Sequence, residues 1–289
     1  MSWGIICDSS CNMRTYDTHS DDVFYTHVPI YLIADGHEFT DNADLDIPAF
    51  IKVTKEAEVP FRTSCPTTGD WVEKFLQYDN CIVFTITGTL SGSFHTAMVA
   101  RDMVLEEHPE KKIHLCDGKA AGPKNEIFVE RLSAYLATNP SWEDACAYAD
   151  WLNANIQLVF SLCSYDNLIK AGRMPKLAGA MASTLNIRAL GMASPEGTIK
   201  LVAPSRGEKK AYKRAVQEME KLGYHGGMVY IDHVYNPEGR DFVSKLILEK
   251  WPEADIRSLP TDGTCTYFSE DGGLMIGFEA PTSEPPVQL

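Results

Sequence analysis

The sequence predicts an α/β protein of two domains, the first built on a mainly parallel sheet with flanking helices, the second an α/β domain with a mixed sheet. From about residue 60 to 155, short apolar runs alternate with amphipathic helical stretches, the pattern of βαβ units and parallel pairing. Beyond Asn155 the strands are joined by hairpin-type turns, which points to antiparallel pairing. A chain of 289 residues accommodates two ordinary domains. The expected divisions are 1–155, 156–280 and a loose Pro-rich tail at 281–289, with residues 1–60 free to pack against the second domain.

Trp3 to Cys7 reads as a strand ending at the polar turn Asp8-Ser9-Ser10, and His27 to Ala34 as a second strand. Asp35-Gly36 is a turn dipeptide with Phe39-Thr40-Asp41 returning, and Asp46 and Pro48 open a helix from Ile47 to Glu58. Trp71, Val72, Phe75 and Leu76 mark one helix face. Cys81 to Thr87 and Lys112 to Cys116 are strands, and Glu126 to Ala137 and Trp142 to Asn153 are helices.

In the second half, Ile156 to Phe160 is a strand, Gly172 a helix C-cap and Pro175 the start of a helix from Leu177 to Leu185. That helix is almost wholly small or apolar, with Ala180 and Ala182 in it. Small residues there permit either close helix packing or a slender apolar ligand. Strands Ile187 to Ala193 and Thr198 to Ala203 flank the turn Ser194-Pro195-Glu196-Gly197. Helices Glu208 to Leu222 and Phe242 to Trp251 alternate with strands Met228 to Val234, Asp255 to Leu259 and Leu274 to Glu279. The face bearing Lys209, Lys210, Lys213 and Arg214 is a solvated surface or a local basic patch.

Candidate chemistry concentrates between Thr63 and Ser93. Thr63-Ser64-Cys65-Pro66-Thr67-Thr68 leads into one helix, with Thr67 and Asp70 spaced as a capping box. Ile86-Thr87-Gly88-Thr89-Leu90-Ser91-Gly92-Ser93 links a buried strand to the next helix. Hydroxyls beside free backbone N–H groups at a helix start suit an anion, as they also suit ordinary capping. The candidate ligand-binding residues from this stretch are Thr63, Ser64, Ser91, Gly92 and Ser93.

A net charge of -14 argues against nucleic acid and against anionic lipid surfaces as partners. No apolar run approaches the roughly 20 residues that span a bilayer, and Met1-Ser2-Trp3-Gly4 lacks the features of a signal peptide. The eight cysteines form no CxxC pair and read as reduced thiols of a cytoplasmic protein, and the eight histidines show no metal-ligand spacing. Phosphate-loop, dinucleotide, zinc-protease and nucleophile-elbow motifs are absent. No metal and no cofactor are expected. The residues alone define an anion held by hydroxyls and helix ends, which leaves open an enzyme acting on a phosphorylated or carboxylated substrate.

Seven short motifs in order carry a resemblance further. They are Cys7-Asp8-Ser9-Ser10, Val28-Pro29-Ile30, Thr63-Ser64-Cys65-Pro66-Thr67, Leu90-Ser91-Gly92-Ser93, Leu168-Ile169-Lys170-Ala171-Gly172-Arg173, Leu185-Asn186-Ile187-Arg188 and Ser205-Arg206-Gly207. From Gly4 to Phe278 the chain resembles the DegV family of bacterial fatty-acid-binding proteins, the carrier subunits of fatty acid kinase. The resemblance implies a two-domain DegV-like architecture with a long-chain fatty acid between the domains. It places the carboxylate at Thr63 and the Ser91-Gly92-Ser93 turn, and the acyl chain in the domain after residue 155. It also implies basic residues, Arg173 and Arg206, near the mouth of the site. The carrier is not itself a catalyst: a separate fatty acid kinase with a dihydroxyacetone-kinase-like domain makes the acyl-phosphate for lipid synthesis.

Two departures stand out. The family's Gly-Gly-Arg reads Ala171-Gly172-Arg173 here, and its His followed by Gly-Pro-Gly has no counterpart in Phe268-Ser269-Glu270-Asp271-Gly272-Gly273. Ser269 stands roughly where that His is expected beside the carboxylate. A lipid sensor without a kinase is therefore a further alternative.

Overall fold

The computed structural model describes residues 1–57, 61–174 and 187–287. The chain runs β1 (Trp3–Asp8), β2 (Val23–Val28), β3 (Tyr31–Ala34), β4 (His37–Thr40), α1 (Ile47–Glu56), β5 (Arg62–Ser64), α2 (Thr68–Leu76), β6 (Asn80–Thr85), α3 (Ser93–Glu107), β7 (Lys112–Asp117), α4 (Pro123–Leu136) and α5 (Trp142–Asn155). It continues as β8 (Ile156–Leu162), α6 (Asp166–Lys170), β9 (Ile187–Ala193), β10 (Ile199–Arg206), α7 (Glu208–Lys221), β11 (Met228–His233), α8 (Pro237–Lys250), β12 (Asp255–Arg257), α9 (Gly263–Ser269) and β13 (Leu274–Glu279). The small-residue helix expected at 177–185, with Ala180 and Ala182, lies outside the described residues.

The first sheet has the order β2-β1-β6-β7 and is parallel throughout. The second has the order β10-β9-β8-β13-β11-β12 and is mixed, with only β11 and β12 parallel. The expected pair of sheets is therefore observed. A third, antiparallel sheet, β4-β3-β5, was not expected. It arises because the run read as one strand from His27 to Ala34 divides at Pro29. Pro29 has no N–H for a ladder, and the next amide, Ile30 N, donates instead to Ser9 Oγ at 2.9 Å.

The helix starts follow their capping residues. Asp46 accepts from Ala49 N, Thr67 and Asp70 form the reciprocal box, Ser141 accepts from Asp144 N and Asn236 from Gly239 N. Proline in the first turn sets where α4 and α8 begin, which is earlier than apolar spacing alone indicates.

Helix α4 fills the space between the two large sheets, and nearly all of its residues are buried, including Lys124, Asn125, Glu126 and Glu130. Its Ile127, Phe128 and Leu132 join Trp3 and Ile5 of β1 and Met228 and Tyr230 of β11 in one core. Each large side chain enclosed there contributes about 1.5–3 kcal/mol. The seat is close: a Cβ on Gly277 of β13 would meet the Pro123 carbonyl carbon at 2.5 Å. The third sheet and α1 pack on α9 through Leu32, Phe50 and Tyr267. The segment after residue 280, expected to be loose, is bonded to α5: Thr282 N donates to Asn155 Oδ1 at 2.7 Å and Trp151 Nε1 to Ser283 O at 3.2 Å.

One buried polar group spans the two sheets. Asn12 N donates to Glu126 Oε1 at 2.9 Å and Asn12 Nδ2 to Asp232 Oδ2 at 2.6 Å. Burial raises both carboxyls; the Asp232 charge raises Glu126 further, while the hydrogen bonds from Glu126, Asn12 and Leu259 N pull Asp232 back in part, to about 7. With native values above the unfolded ones, near 4, the native state holds the extra proton. Its stabilising effect is complete below about pH 4 and is lost as pH rises through about 7. Glu126→Gln keeps an acceptor for Asn12 and removes one charge. Denaturant unfolding at pH 5 and pH 8 should show the variant losing less stability than wild type across that interval, by on the order of 1–2 kcal/mol. Equal losses would show that the pair shares no proton.

Candidate functional site

A partly open cavity lies where the loops at the carboxyl ends of β6 and β7 face the second sheet. This is the position where open α/β sheets place ligands. The β6–α3 loop supplies Ile86, Thr87, Leu90 and Ser91, the β5–α2 link Thr63 and Cys65, and the β7–α4 link Lys119, Ala120 and Ala121. Opposite them stand Leu158, Phe160 and Leu162 of β8 and Met275 of β13. Leu168, Arg173, Cys265, Phe268 and Ser269 close the remaining wall.

The apolar wall follows from strand periodicity. Leu158, Phe160 and Leu162 alternate along β8, so all three project from one face. Phe160 leans over Gly191 of β9, where a Cβ would come within 2.2 Å of its ring, so a glycine is needed for that close approach.

The two hydroxyl loops meet. Gly92, the N-cap of α3, lies close against Cys65: an added Cβ would stand 3.0 Å from Cys65 Sγ. Thr63 and Ser91 therefore line the same wall. Among the described residues, the hydroxyls of Thr63 and Ser269 have no hydrogen-bond partner. Ser91 Oγ accepts from Ser93 N at 3.2 Å and keeps its own proton to donate. Arg173 reaches across from the second half, its Nε donating to Leu90 O at 3.1 Å.

Four of the expected residues thus come together at the cavity: Thr63, Ser91, Arg173 and Ser269. Others stand elsewhere. Ser64 is exposed because the strand alternation that turns Thr63 inward turns its neighbour outward. Gly92 serves the approach of the loops. Arg206 is exposed at the end of β10 and is not part of the lining. Ser93 is fully buried and donates to Asp8 Oδ2 at 2.5 Å.

Asp8 holds the loop scaffold. Its carboxylate also accepts from Ile86 N at 2.9 Å and from Ser10 Oγ at 2.6 Å. Burial raises its pKa, and the bonds from Ser10, Ser93 and Ile86 pull it back in part. Asp41 does the same on the other side, accepting from Ser9 Oγ, Arg14 Nη2 and both the N–H and hydroxyl of Thr264. Asp117 receives Gly88 N at 2.9 Å and Lys119 Nζ at 2.6 Å.

Sequence reasoning missed Lys119, Thr198, Thr264 and the β8 wall. The period-two spacing of Leu158, Phe160 and Leu162 was the signal that marks one face. Lys119 gave none, since its position depends on a turn at φ 55°.

The fold and this site define an α/β protein with a largely apolar cavity, edged by hydroxyl donors, between its two large sheets. The model of the DegV family, described as "Uncharacterised protein, DegV family", matches residues 2–280, and the chain belongs to that family. A DegV domain-containing protein of Streptococcus gordonii is 36% identical over 279 residues, covering 96% of this chain and 99% of that one. Among solved structures, the fatty acid kinase (Fak) B3 protein of Streptococcus pneumoniae loaded with linoleic acid superposes with a TM-score of 0.95 at 36% identity, over 97% of this chain and 100% of that one. A DegV family protein of Eubacterium eligens loaded with heptadecanoic acid gives 0.91 at 30% identity, over 96% and 100%. Among the described residues, no helix is long and apolar enough to cross a membrane.

The distinct placements of Ser91 and Ser93 separate binding from stability. Ser93→Ala leaves the buried Asp8 carboxylate one donor short and should lower unfolding free energy by about 1–3 kcal/mol in denaturant titration. An unchanged unfolding midpoint would show that Asp8 does not rely on that hydroxyl.

Proposed function

We propose that this chain binds one long-chain fatty acid and presents its carboxylate to a separate kinase. The observation that carries the reading is a single cavity edged by the Thr63, Ser91 and Ser269 hydroxyls and otherwise walled by Leu158, Phe160, Leu162, Phe268 and Met275. A carboxylate leaving water needs several donors to stay charged, and this edge supplies them with Arg173 beside it. The linoleic and heptadecanoic acids in the two similar structures support the same ligand class. Burying about 14 to 16 methylenes at about 0.8 kcal/mol each gives a gross gain on the order of 12 kcal/mol. Ordering of the chain and loops removes several kcal/mol of that.

Denaturing extraction of purified protein, read by mass spectrometry, should release one fatty acid per chain. A clean extract, or hydrophilic metabolites alone, would return the site to the enzyme reading. Thr63→Val and Ser91→Ala should each weaken fatty-acid binding by about 1–3 kcal/mol, the contribution of a hydrogen bond to a charge. Wild-type affinity in both folded variants would move the carboxylate elsewhere.

Kinase partnership is supported by the similarity to the fatty acid kinase (Fak) B3 protein and by the exposed Arg206, whose planar fork suits a phosphate formed outside the cavity. Arg206→Ala should leave fatty-acid binding nearly intact and reduce acyl-phosphate formation with a cognate fatty acid kinase. Ser269 favours a second reading, a sensor without a kinase, because a hydroxyl stands where the family places an imidazole. In that case the lipid-loaded wild type yields no acyl-phosphate with any cognate kinase, and Ser269→His does not restore it.

A further inference from the structure

A second cluster of chemistry-bearing side chains lies between β7 and α5. His114 and Cys116 are two residues apart on β7 and project from the same face, toward α5. Cys146 and Asp150 are four apart on α5, so they share the helix face that returns toward β7. The imidazole of His114 is hydrogen-bonded to Asp150 Oδ1 at 2.8 Å. Cys116 Sγ is 3.7 Å from Asp150 Oδ1. The donor atoms of His114, Cys116 and Asp150 all fall within 4.8 Å of one another.

We propose that His114, Cys116 and Asp150 form a binding site for a divalent ion of the zinc type. One imidazole nitrogen, one sulfur and one carboxylate oxygen, with water in the fourth position, make the mixed donor set such ions accept. Tetrahedral bonds of about 2.0–2.3 Å place ligand atoms roughly 3.3–3.8 Å apart, and the three donor atoms here all lie within 4.8 Å of one another. Strand alternation leaves His114 and Cys116 no choice of face. The site is also reachable: Cys116 is buried beneath it, while the Asp150 side chain is 61% and that of His114 25% exposed. Asn153, one turn along α5, donates to Asp117 O at 2.9 Å and fixes the helix against the end of the strand.

The test uses the reduced, chelator-treated full chain with Co2+ as probe. One equivalent should produce thiolate-to-cobalt charge-transfer absorption that Zn2+ abolishes by displacement. Cys116→Ser should remove that band, and Asp150→Asn, at an exposed position, should weaken Co2+ binding about tenfold or more. A reduced protein without the band overturns the proposal. So does Co2+ affinity unchanged by Asp150→Asn, which spares the core.

Discussion

The structure depends on helix α4 being enclosed between two sheets. A helix covered on all sides must satisfy its polar side chains internally or forfeit the free energy of their desolvation. Lys124 reaches Asn153 O at 2.7 Å, Arg131 meets Glu279 with both arms, and Glu130 takes Arg257 and the Tyr230 hydroxyl. Each of these bonds ties α4 to an element of one half or the other. The cavity begins where the helix begins. Ala120 and Ala121, just before α4, line it between the β6–α3 loop and β8.

The hydroxyl-rich loops divide their labour by direction. Ser91 and Thr63 face the cavity, whereas Ser93, Ser9 and Ser10 face inward to two buried carboxylates, Asp8 and Asp41. Those carboxylates are not spare acids. Each gathers donors from segments distant in sequence, so its set of hydrogen bonds is completed by geometry that only the complete fold provides. A row of serines in a sequence therefore mixes donors meant for a ligand with donors meant for the scaffold.

Much of this was legible in the sequence. Alternating βα units fixed the parallel sheet, turn residues fixed the β9–β10 hairpin, and Thr67 with Asp70 announced α2, because each of these signals is local. What was not legible depends on contacts between distant segments. Pro29 moved half of an apparently continuous strand into another sheet, and α9 at Gly263–Ser269 is too short and too irregular in composition to show a period. Ser91 and Ser93 are indistinguishable as residue types, and only the place of Asp8 tells them apart. His114 and Cys116 belong with Asp150 across a helix–strand interface that no spacing rule along the chain contains.

The turn between β9 and β10 touches the β6–α3 loop in a particular way. Thr87 Oγ1 donates to Gly197 O at 2.8 Å and Thr89 Oγ1 to Glu196 O at 2.7 Å, and Arg173 adds its bond to Leu90 O. All three acceptors are main-chain carbonyls, yet the clasp does constrain the turn: Gly197 sits at φ 81°, and a Cβ there would stand 2.2 Å from Thr87 Oγ1. Thr87, Gly197 and Arg173 also border the cavity. A side chain introduced at position 197 would therefore act on both halves of the chain at once, parting the seam and displacing the cavity rim with it.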